Sequence, residues 1–320
     1  NPTILFKKYL WVTNTSQTAR VYANTFFKFA KKYLNKKSQI LEIAHNDGTF
    51  LNKFASKGYF SVGVDPAKNI LKKNAEFINE NYFFSDKVAK KLVKKYNKFD
   101  FVYARNVIPH VEKINEVVKG INISLKAKGI GCIEFHYLGE IIKKLQYDSI
   151  YHEHLYYFSI RTISILLKKH GLIPFDIKKS PISGGSFVIY FCKYKKNKTK
   201  YFKKMELNET NNRLNTLANL IKFKKNVENH RRITLDLIKI FKLNNKKIYG
   251  YGASARSSTF LNYCEISNHD IDLIFDANPL KFKKYSPGSN IKIVSTGTIT
   301  KVKPKIVLIL AWNFKDEVIS

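Results

Sequence analysis

The sequence predicts an α/β protein with two Rossmann-like units, and three observations carry that prediction. Short apolar strands alternate with turns and helical stretches in "SQILEIAHNDGTFLNKFASKGYFSVGVDPAKNI", which is typical of βαβ units on a parallel sheet. The same alternation returns in "KKIYGYGASARSSTFLNYC", "DIDLIFDANPLKF" and "PKIVLILAWNF". A polar stretch with helical periodicity, at about residues 201–243, separates the two and reads as a connecting helix or helix pair.

These patterns predict three segments along the chain. Residues 1–35 form a helical arm whose helix begins after a Thr15 or Ser16 cap. Residues 36–157 form the first α/β domain, which includes the strands in "FDFVYARNVIPHV" and "GIGCIEFHYL". Residues 158–320 form the C-terminal domain, with the strand in "ISGGSFVIYFCKY", the helical connector and the second Rossmann-like unit.

The composition indicates a soluble globular protein, with 44% hydrophobic and 25% charged residues. No apolar run is long enough to cross a membrane, and the first residues lack the layout of a signal peptide. Three isolated cysteines argue against a disulfide framework, so the cytoplasm is the expected location. The formal net charge of +33 comes from lysines scattered along the chain. We attribute it to compositional drift and expect no nucleic-acid partner, although a positive field attracts small anionic substrates.

The first turn of nucleotide-binding type lies in "LEIAHNDGTFLNKF". Glu42 ends the strand, Asp47 and Gly48 occupy the turn, and Asp65 ends the next strand. An acidic residue at that distance is placed to accept both ribose hydroxyls of an adenosine. Ala44 stands where a first glycine is expected, so the turn favours S-adenosylmethionine over a dinucleotide with a pyrophosphate. A plain turn with a solvated aspartate is the alternative.

Asp86, in "FFSDKVAKKL", is a candidate for contact with the adenine amino group. A helix-capping role for this residue is equally compatible with the pattern.

The second turn of this type, in "IYGYGASARSSTFLNY", carries Gly250 and Gly252, which allow a close approach to phosphate. Ser254 adds a hydroxyl, Arg256 adds a guanidinium fork for phosphate oxygens, and Asp276 ends the following strand. These five residues predict a site for the nucleoside diphosphate part of a substrate. A structural turn capped by serines is the alternative.

A third cluster, "YHEHLYYF", brings groups suited to proton transfer together. His154 or His152 can accept a proton near neutral pH, Glu153 can orient an imidazole, and Tyr151 can donate to a developing enolate. His110 follows a predicted strand at its carboxyl end, where ligands bind in open α/β sheets. A metal site lacks ligands in this pattern, and ordinary packing of the histidines remains an alternative.

Six fragments of the chain, taken in order, resemble the sugar C-methyltransferase family. They are "EIAHNDGTFLNKFASKGYFSVGVDPAKNI", "IYHEHLYYFS", "GGSFVIY", "GYGASARSSTFLNYC", "DANPLKFKKYSPG" and "LILAWNF". The resemblance implies a Rossmann-like domain that binds S-adenosylmethionine, a second Rossmann-like domain, and methylation of nucleotide-linked 4-keto-deoxysugars. Members usually begin with a small zinc module built on cysteines. This chain has no such cysteines, so it is either a fragment or lacks the module, and we predict no metal site.

The resemblance also implies roles for individual residues. His154 resembles the catalytic base, and Tyr151, Glu153 and His110 are similar to other active-site residues of the family. Tyr9 resembles a tyrosine near the sugar. The cofactor contacts implied are Glu42, Asn46, Asp47, Gly48 and Asp65.

The chain departs from the family's pattern in both turns. Ala44 and His45 replace smaller residues in the first turn. Ser254, Arg256 and Ser257 replace the more usual Pro, Lys and Gly in the second, which puts the identity of the nucleotide in doubt.

Together, the residues and the resemblance predict an S-adenosylmethionine-dependent C-methyltransferase that generates an enolate on a nucleotide-sugar substrate. The oligomeric state expected is a monomer or a homodimer. An NAD-type oxidoreductase, a nucleic-acid methyltransferase and a non-catalytic sugar-nucleotide binding protein are the competing interpretations.

Overall fold

A computed structural model describes residues 6–7, 12–70, 75–312 and 315–319. Tyr9, predicted to lie near the substrate, falls outside these residues. The chain divides into two compact units, one of residues 1–139 and 155–214, the other of residues 140–154 and 215–320. The predicted boundary between residues 157 and 158 differs from this division. We describe each unit by itself.

The first unit is built on a seven-stranded sheet with the order β3-β2-β1-β4-β5-β7-β6. Its strands are β1 (Gln39–Ile43), β2 (Phe60–Val64), β3 (Ile78–Glu80), β4 (Phe99–Arg105), β5 (Leu125–His136), β6 (Ile173–Ser180) and β7 (Ser186–Cys192). The strands from β3 to β5 are parallel, as the βαβ rhythm predicts. The carboxyl ends of β1, β2 and β4 therefore meet at one edge, which is where ligands bind in such sheets.

The strand in "SFVIYFC" belongs to this first sheet and not to a C-terminal domain. As β7, it pairs antiparallel with β5 from Ile130 to His136 and with β6 on its other side. All seven residues of β7 are buried, because the strand is flanked on both sides within a sheet that is covered by helices. The first unit consequently extends to residue 214, and its sheet is mixed where a parallel one was predicted.

Helices alternate with the strands of the first unit, and the first of them precedes β1. They are α1 (Gln17–Lys31), α2 (Asn52–Ala55), α3 (Asp86–Tyr96), α4 (Ile114–Ser124), α5 (Leu138–Lys143, at the division between the units), α6 (Ile160–Lys169) and α7 (Lys200–Asn211). Ser16 caps α1 by accepting a hydrogen bond from the Ala19 N–H, which confirms one of the two predicted caps. Tyr22 and Phe26 on α1 are buried in the aromatic core beside β1 and β4. The predicted arm is thus part of the packed unit.

The second unit contains a four-stranded parallel sheet with the order β10-β9-β8-β11. Its elements are α8 (Leu217–Leu243), β8 (Tyr249–Tyr251), α9 (Ala255–Cys264), β9 (Ile274–Asp276), β10 (Ile293–Ser295), α10 (Ile299–Val302), β11 (Val307–Ile309) and α11 (Lys315–Ile319). A second Rossmann-like unit was predicted here, and the connector is a helix pair, α7 and α8. Across the described part of the chain, no helix combines the length and apolarity needed to span a membrane.

Candidate active site

The turn after β1 has a left-handed backbone at two residues that are not glycine. Ala44 and Asn46 have φ values of 55° and 56°, and Gly48 has a φ of 75°. A left-handed conformation costs a non-glycine residue about 1–2 kcal/mol, so the turn holds strain at Ala44. The Asn46 N–H donates to Asp65 Oδ2 at 2.9 Å, which joins this turn to the end of β2. The two strand ends therefore form one structure, as predicted.

Backbone N–H groups of the residues before α1 donate hydrogen bonds to side chains of this turn. The Thr13 N–H donates to Asn46 Oδ1 at 2.9 Å, and the Asn14 N–H donates to Asp47 Oδ2 at 3.0 Å. The other oxygen of Asp47 accepts from the N–H and hydroxyl of Thr49. Both Asp47 oxygens thus stabilise the protein's own backbone, so this predicted cofactor contact has a structural task in the turn.

Asp65 is the acidic residue best placed for an adenosine. Its Oδ1 accepts from the Ala67 N–H at 2.8 Å, and burial raises its pKa. A cleft of about 570 Å³ adjoins the segment after β2 and the segment after β3, lined by Lys7, Pro66, Lys68, Asn69, Asn81, Tyr82 and Phe83. Each carboxylate oxygen has lone pairs left after its backbone hydrogen bond. The carboxylate and the adjoining cleft therefore fit the ribose and base of S-adenosylmethionine.

His45 fills the space beside the turn and is buried. Its Nε2 lies 2.7 Å from Asn79 Oδ1, and its ring packs edge-on against Phe77. A Cβ at Gly63 would lie 2.5 Å from the His45 ring, so the glycine in β2 makes room for this imidazole. The bulky side chain that departs from the family's pattern is accommodated by packing, and burial lowers its pKa.

Glu42 lies buried at the end of β1 and accepts a hydrogen bond from the Tyr103 hydroxyl at 2.9 Å. Burial raises its pKa to about 8, although the positive charge of Arg105 opposes that rise. At neutral pH the Glu42 carboxyl therefore keeps its proton. A neutral acid can donate a hydrogen bond, which an ionised glutamate at this predicted cofactor position could not do.

The raised pKa of Glu42 predicts a pH-dependent cost to stability. The unfolded chain releases this proton near its usual pKa of 4.5, whereas the folded protein keeps it up to about pH 8. The contribution of Glu42 to stability therefore falls as pH rises between those values. We expect Glu42→Gln, which still accepts from Tyr103, to raise the free energy of unfolding relative to wild type. The gain should grow from near zero at about pH 4 to at most about 5 kcal/mol above pH 8.

Urea denaturation at several pH values measures this difference. Glu116→Gln is a matched control, because the Glu116 side chain is 46% exposed and pairs with Lys113 at the surface. Its difference from wild type should stay small across the range. A Glu42→Gln difference that does not change with pH would contradict the raised pKa.

Asp86 and His110 are the remaining predicted residues of the first unit. Ser85 caps α3, so the predicted capping role of Asp86 is wrong; Asp86 lies in the first turn and pairs with Lys119 at 3.1 Å. His110 ends a short 3₁₀ turn after β4, and its ring meets that of Phe6 edge-on at 6.0 Å. It lies at the carboxyl edge of the sheet, where the sequence predicted it.

The second unit contains the YHEH cluster, and here His154 has a defined tautomer. Its Nδ1 lies 2.8 Å from the Ser149 carbonyl oxygen, and its Nε2 lies 3.4 Å from the Tyr151 hydroxyl. A carbonyl only accepts hydrogen bonds, so Nδ1 carries the proton and Nε2 carries the lone pair. Burial lowers the pKa of His154, and the charge of Arg256 lowers it further. The imidazole is therefore a neutral base at neutral pH.

Glu153 was predicted to orient this imidazole, but the backbone carbonyl of Ser149 holds its Nδ1. The reason is local: the 3₁₀ turn Tyr147–Ser149 directs that carbonyl back toward residue 154. Glu153 interacts electrostatically with His152, and burial raises the Glu153 pKa. His152 is exposed, which makes His154 the better candidate of the two histidines.

The second nucleotide-type turn is held by hydrogen bonds to residues of the same unit. Asp276 Oδ2 accepts from the Ala253 N–H at 2.7 Å, in parallel with the Asn46–Asp65 bond of the first unit. Ser254 caps α9 together with Ser257 in a reciprocal capping box. The φ of Gly252 is 92°, and a Cβ added at this residue would lie 2.3 Å from the Cβ of Ala311. The close approach of Ala311 and the positive φ explain why a glycine occupies position 252, and Gly250 is the middle residue of β8.

Arg256 differs from its predicted role as a phosphate ligand. Its Nε donates to Asp148 Oδ2 at 2.9 Å, and its Nη2 donates to Oδ1 at 3.0 Å. The Trp312 Nε1–H also donates to Oδ2, at 2.8 Å. The fork predicted for phosphate oxygens therefore binds a carboxylate of the protein. Sequence reasoning missed both partners, and the signal for Asp148 was an aspartate just before the YHEH cluster.

The comparisons with known proteins agree with this architecture. Residues 15–173 match a family described as a methyltransferase domain, and residues 181–320 match one described as a C-methyltransferase C-terminal domain. Together the two matches identify an S-adenosylmethionine-dependent C-methyltransferase. This confirms the resemblance found in the sequence. S-adenosylmethionine is its methyl donor.

One curated relative is the C-methyltransferase NovU of Streptomyces niveus, 29% identical over 287 residues, which cover 88% of this chain and 68% of NovU. Among solved structures, the PH0226 protein of Pyrococcus horikoshii OT3 is 21% identical with a TM-score of 0.45, covering 57% of this chain and 94% of that protein. Magnesium protoporphyrin IX methyltransferase of Synechocystis PCC 6803 is 12% identical with a TM-score of 0.43, covering 55% and 83%.

Proposed function

We propose that this C-methyltransferase methylates a carbon beside the ketone of a nucleotide-linked 4-keto-deoxysugar, with His154 as the base. The observation that carries the proposal is the tautomer of His154. The Ser149 carbonyl keeps the proton on Nδ1, which leaves the lone pair on Nε2 at the other side of the ring. Carbon methylation needs a carbon nucleophile, and a carbon beside a ketone becomes one when it loses a proton. A neutral, oriented imidazole is suited to that step.

Tyr151 supplies the second group that the reaction needs. Its hydroxyl lies 3.4 Å from His154 Nε2, and the two rings lie 4.4 Å apart between centroids. A phenol beside the base can donate to the ketone oxygen as negative charge develops there, which lowers the energy of the enolate. S-adenosylmethionine supplies an electrophilic methyl group on a sulfonium. The proton removed passes to Nε2, which leaves an imidazolium stabilised by the Nδ1 hydrogen bond to Ser149.

The second Rossmann-like unit supports a nucleotide as the carrier of the sugar. Gly252 and the α9 N-terminus after Ser254 form a turn of the kind that binds phosphate. The net charge of +33 favours an anionic substrate over a neutral free sugar.

The test is a mass-spectrometric assay of the purified chain with S-adenosylmethionine and a nucleoside diphosphate 4-keto-deoxysugar. We expect the sugar to gain a methyl group on a carbon next to the ketone. The matched substrate with a hydroxyl in place of the ketone should gain none, because its carbon cannot form an enolate. Methylation of both, or of an oxygen atom, would contradict the proposal.

A further inference from the structure

The loop that carries His154 is anchored by a buried carboxylate. Asp148 is 6% exposed and accepts three hydrogen bonds, two from Arg256 and one from Trp312. The Arg256 guanidinium also lies over the Trp312 ring, 4.7 Å from its centroid. A bidentate fork fixes the plane of a carboxylate as well as its distance. We call the side chains of Asp148, Arg256 and Trp312 the Asp148 clamp. The clamp therefore fixes the orientation of residue 148.

The clamp holds a short 3₁₀ turn that further hydrogen bonds keep in place. Asp148 is the middle residue of the 3₁₀ turn Tyr147–Ser149, and the Ser149 hydroxyl donates to the Gln146 carbonyl at 2.6 Å. The Tyr147 hydroxyl lies 3.0 Å from His230 Nδ1 on α8, which anchors the turn on its other side. The carbonyl of Ser149, at the end of this turn, is the group that binds His154 Nδ1.

We propose that Arg256 and Trp312 are positioning residues for the reaction: by fixing Asp148, they hold the Ser149 carbonyl where it keeps the proton of His154 on Nδ1. The inference rests on the proposed function of His154 as the base. Neither positioning residue needs to touch the substrate. Their effect on the reaction passes through the tautomer and the direction of one imidazole.

The competing role for Arg256 is the predicted one, as a ligand for substrate phosphates. The geometry disfavours it, because Nε and Nη2 are both directed at Asp148. The two roles predict different kinetics. Loss of a phosphate ligand raises the KM for the nucleotide sugar, whereas loss of a positioning residue lowers kcat.

The variants that test the clamp are Arg256→Lys, which replaces the fork with a single ammonium group, and Trp312→Phe, which removes one donor and keeps an aromatic ring. Arg232→Gln is the matched control. It removes an Arg–carboxylate pair of the same unit, with Asp236 at 3.5 Å, whose two residues both lie on α8. Circular dichroism establishes whether each variant folds. If Arg256→Lys does not fold, Trp312→Phe alone tests the clamp.

The first readout is the ¹⁵N NMR spectrum of histidine-labelled protein, with His154 assigned by its loss in His154→Asn. We expect the wild type and Arg232→Gln to show His154 protonated on Nδ1, and both clamp variants to show a mixture of tautomers. This measurement needs no substrate, so it can fail while the proposed function stands, or succeed while that function fails.

The second readout is steady-state kinetics. We expect both clamp variants to lose about 10- to 100-fold in kcat, the range produced by a small misplacement of a catalytic group. The KM for each substrate should stay close to wild type. An unchanged tautomer with an unchanged kcat in both variants would overturn the inference. A raised KM for the nucleotide sugar at unchanged kcat would overturn it in favour of the phosphate-ligand role.

Discussion

Replacement of His154 by Asn is expected to lower turnover by about 10²–10⁴, the range for loss of a general base. Asparagine can still donate to the Ser149 carbonyl, so the loop should keep its structure. It has no lone pair of comparable basicity at the position of Nε2, and the carbon of the substrate would keep its proton. Binding of S-adenosylhomocysteine, measured by calorimetry, should be unchanged, because the residues predicted to contact the cofactor lie at the ends of β1 and β2 and do not include His154.

The matched control for this variant is His152→Asn, two residues away on an exposed side chain. Its turnover should stay near wild type. Near-normal turnover in His154→Asn, or an equal loss in both variants, would remove His154 from the role of base.

Replacement of Arg105 by Met is expected to destabilise the first unit by about 3–5 kcal/mol, because it leaves Glu134 as an unpaired buried charge. Arg105 Nη2 lies 2.6 Å from Glu134 Oε2, and the two side chains are only 8% and 0% exposed. The Ser180 hydroxyl donates to the other Glu134 oxygen, and the Arg105 guanidinium packs over the Phe50 ring. The Glu134 side chain is 0% exposed, so bulk solvent does not reach the remaining carboxylate.

The double variant Arg105→Met/Glu134→Leu should recover most of that loss, since an apolar pair can replace a buried ion pair at little cost. Arg232→Met is the control: Arg232 pairs with Asp236 at 3.5 Å on an exposed helix face, and its loss should cost less than about 1 kcal/mol. Urea denaturation measures all three. A double variant as unstable as the single one would show that Arg105 acts through packing and not through charge.

Local patterns were enough to predict the two turns and their acidic strand ends. The strand before Glu42 and the aspartates at 65 and 276 follow from short-range periodicity. Each aspartate accepts a backbone N–H from the turn after the preceding strand of its unit. The cap at Ser16 was predicted for the same reason. Each of these features depends on contacts that the βαβ rhythm itself brings together.

The features that sequence reasoning missed depend on long-range contacts. Asp148 and Arg256 are 108 residues apart, and Asp148 and Trp312 are 164 apart, so no local spacing indicates their pairing. The buried Arg105–Glu134 pair is likewise set by the register of β4 against β5. The antiparallel place of β7 was missed because an apolar strand does not itself specify its neighbour or direction. Glu153 was assigned the orienting role because a backbone carbonyl leaves no mark in a sequence.

The most direct test of the account is deuterium exchange into the substrate without methyl transfer. The enzyme is incubated in D₂O with S-adenosylhomocysteine and the nucleoside diphosphate 4-keto-deoxysugar, and the sugar is analysed by NMR. We predict that wild type introduces deuterium at the carbon that later receives the methyl group, and that His154→Asn does not. Equal incorporation by the two proteins, or none by a wild type that still methylates that carbon, would contradict the role of the imidazole.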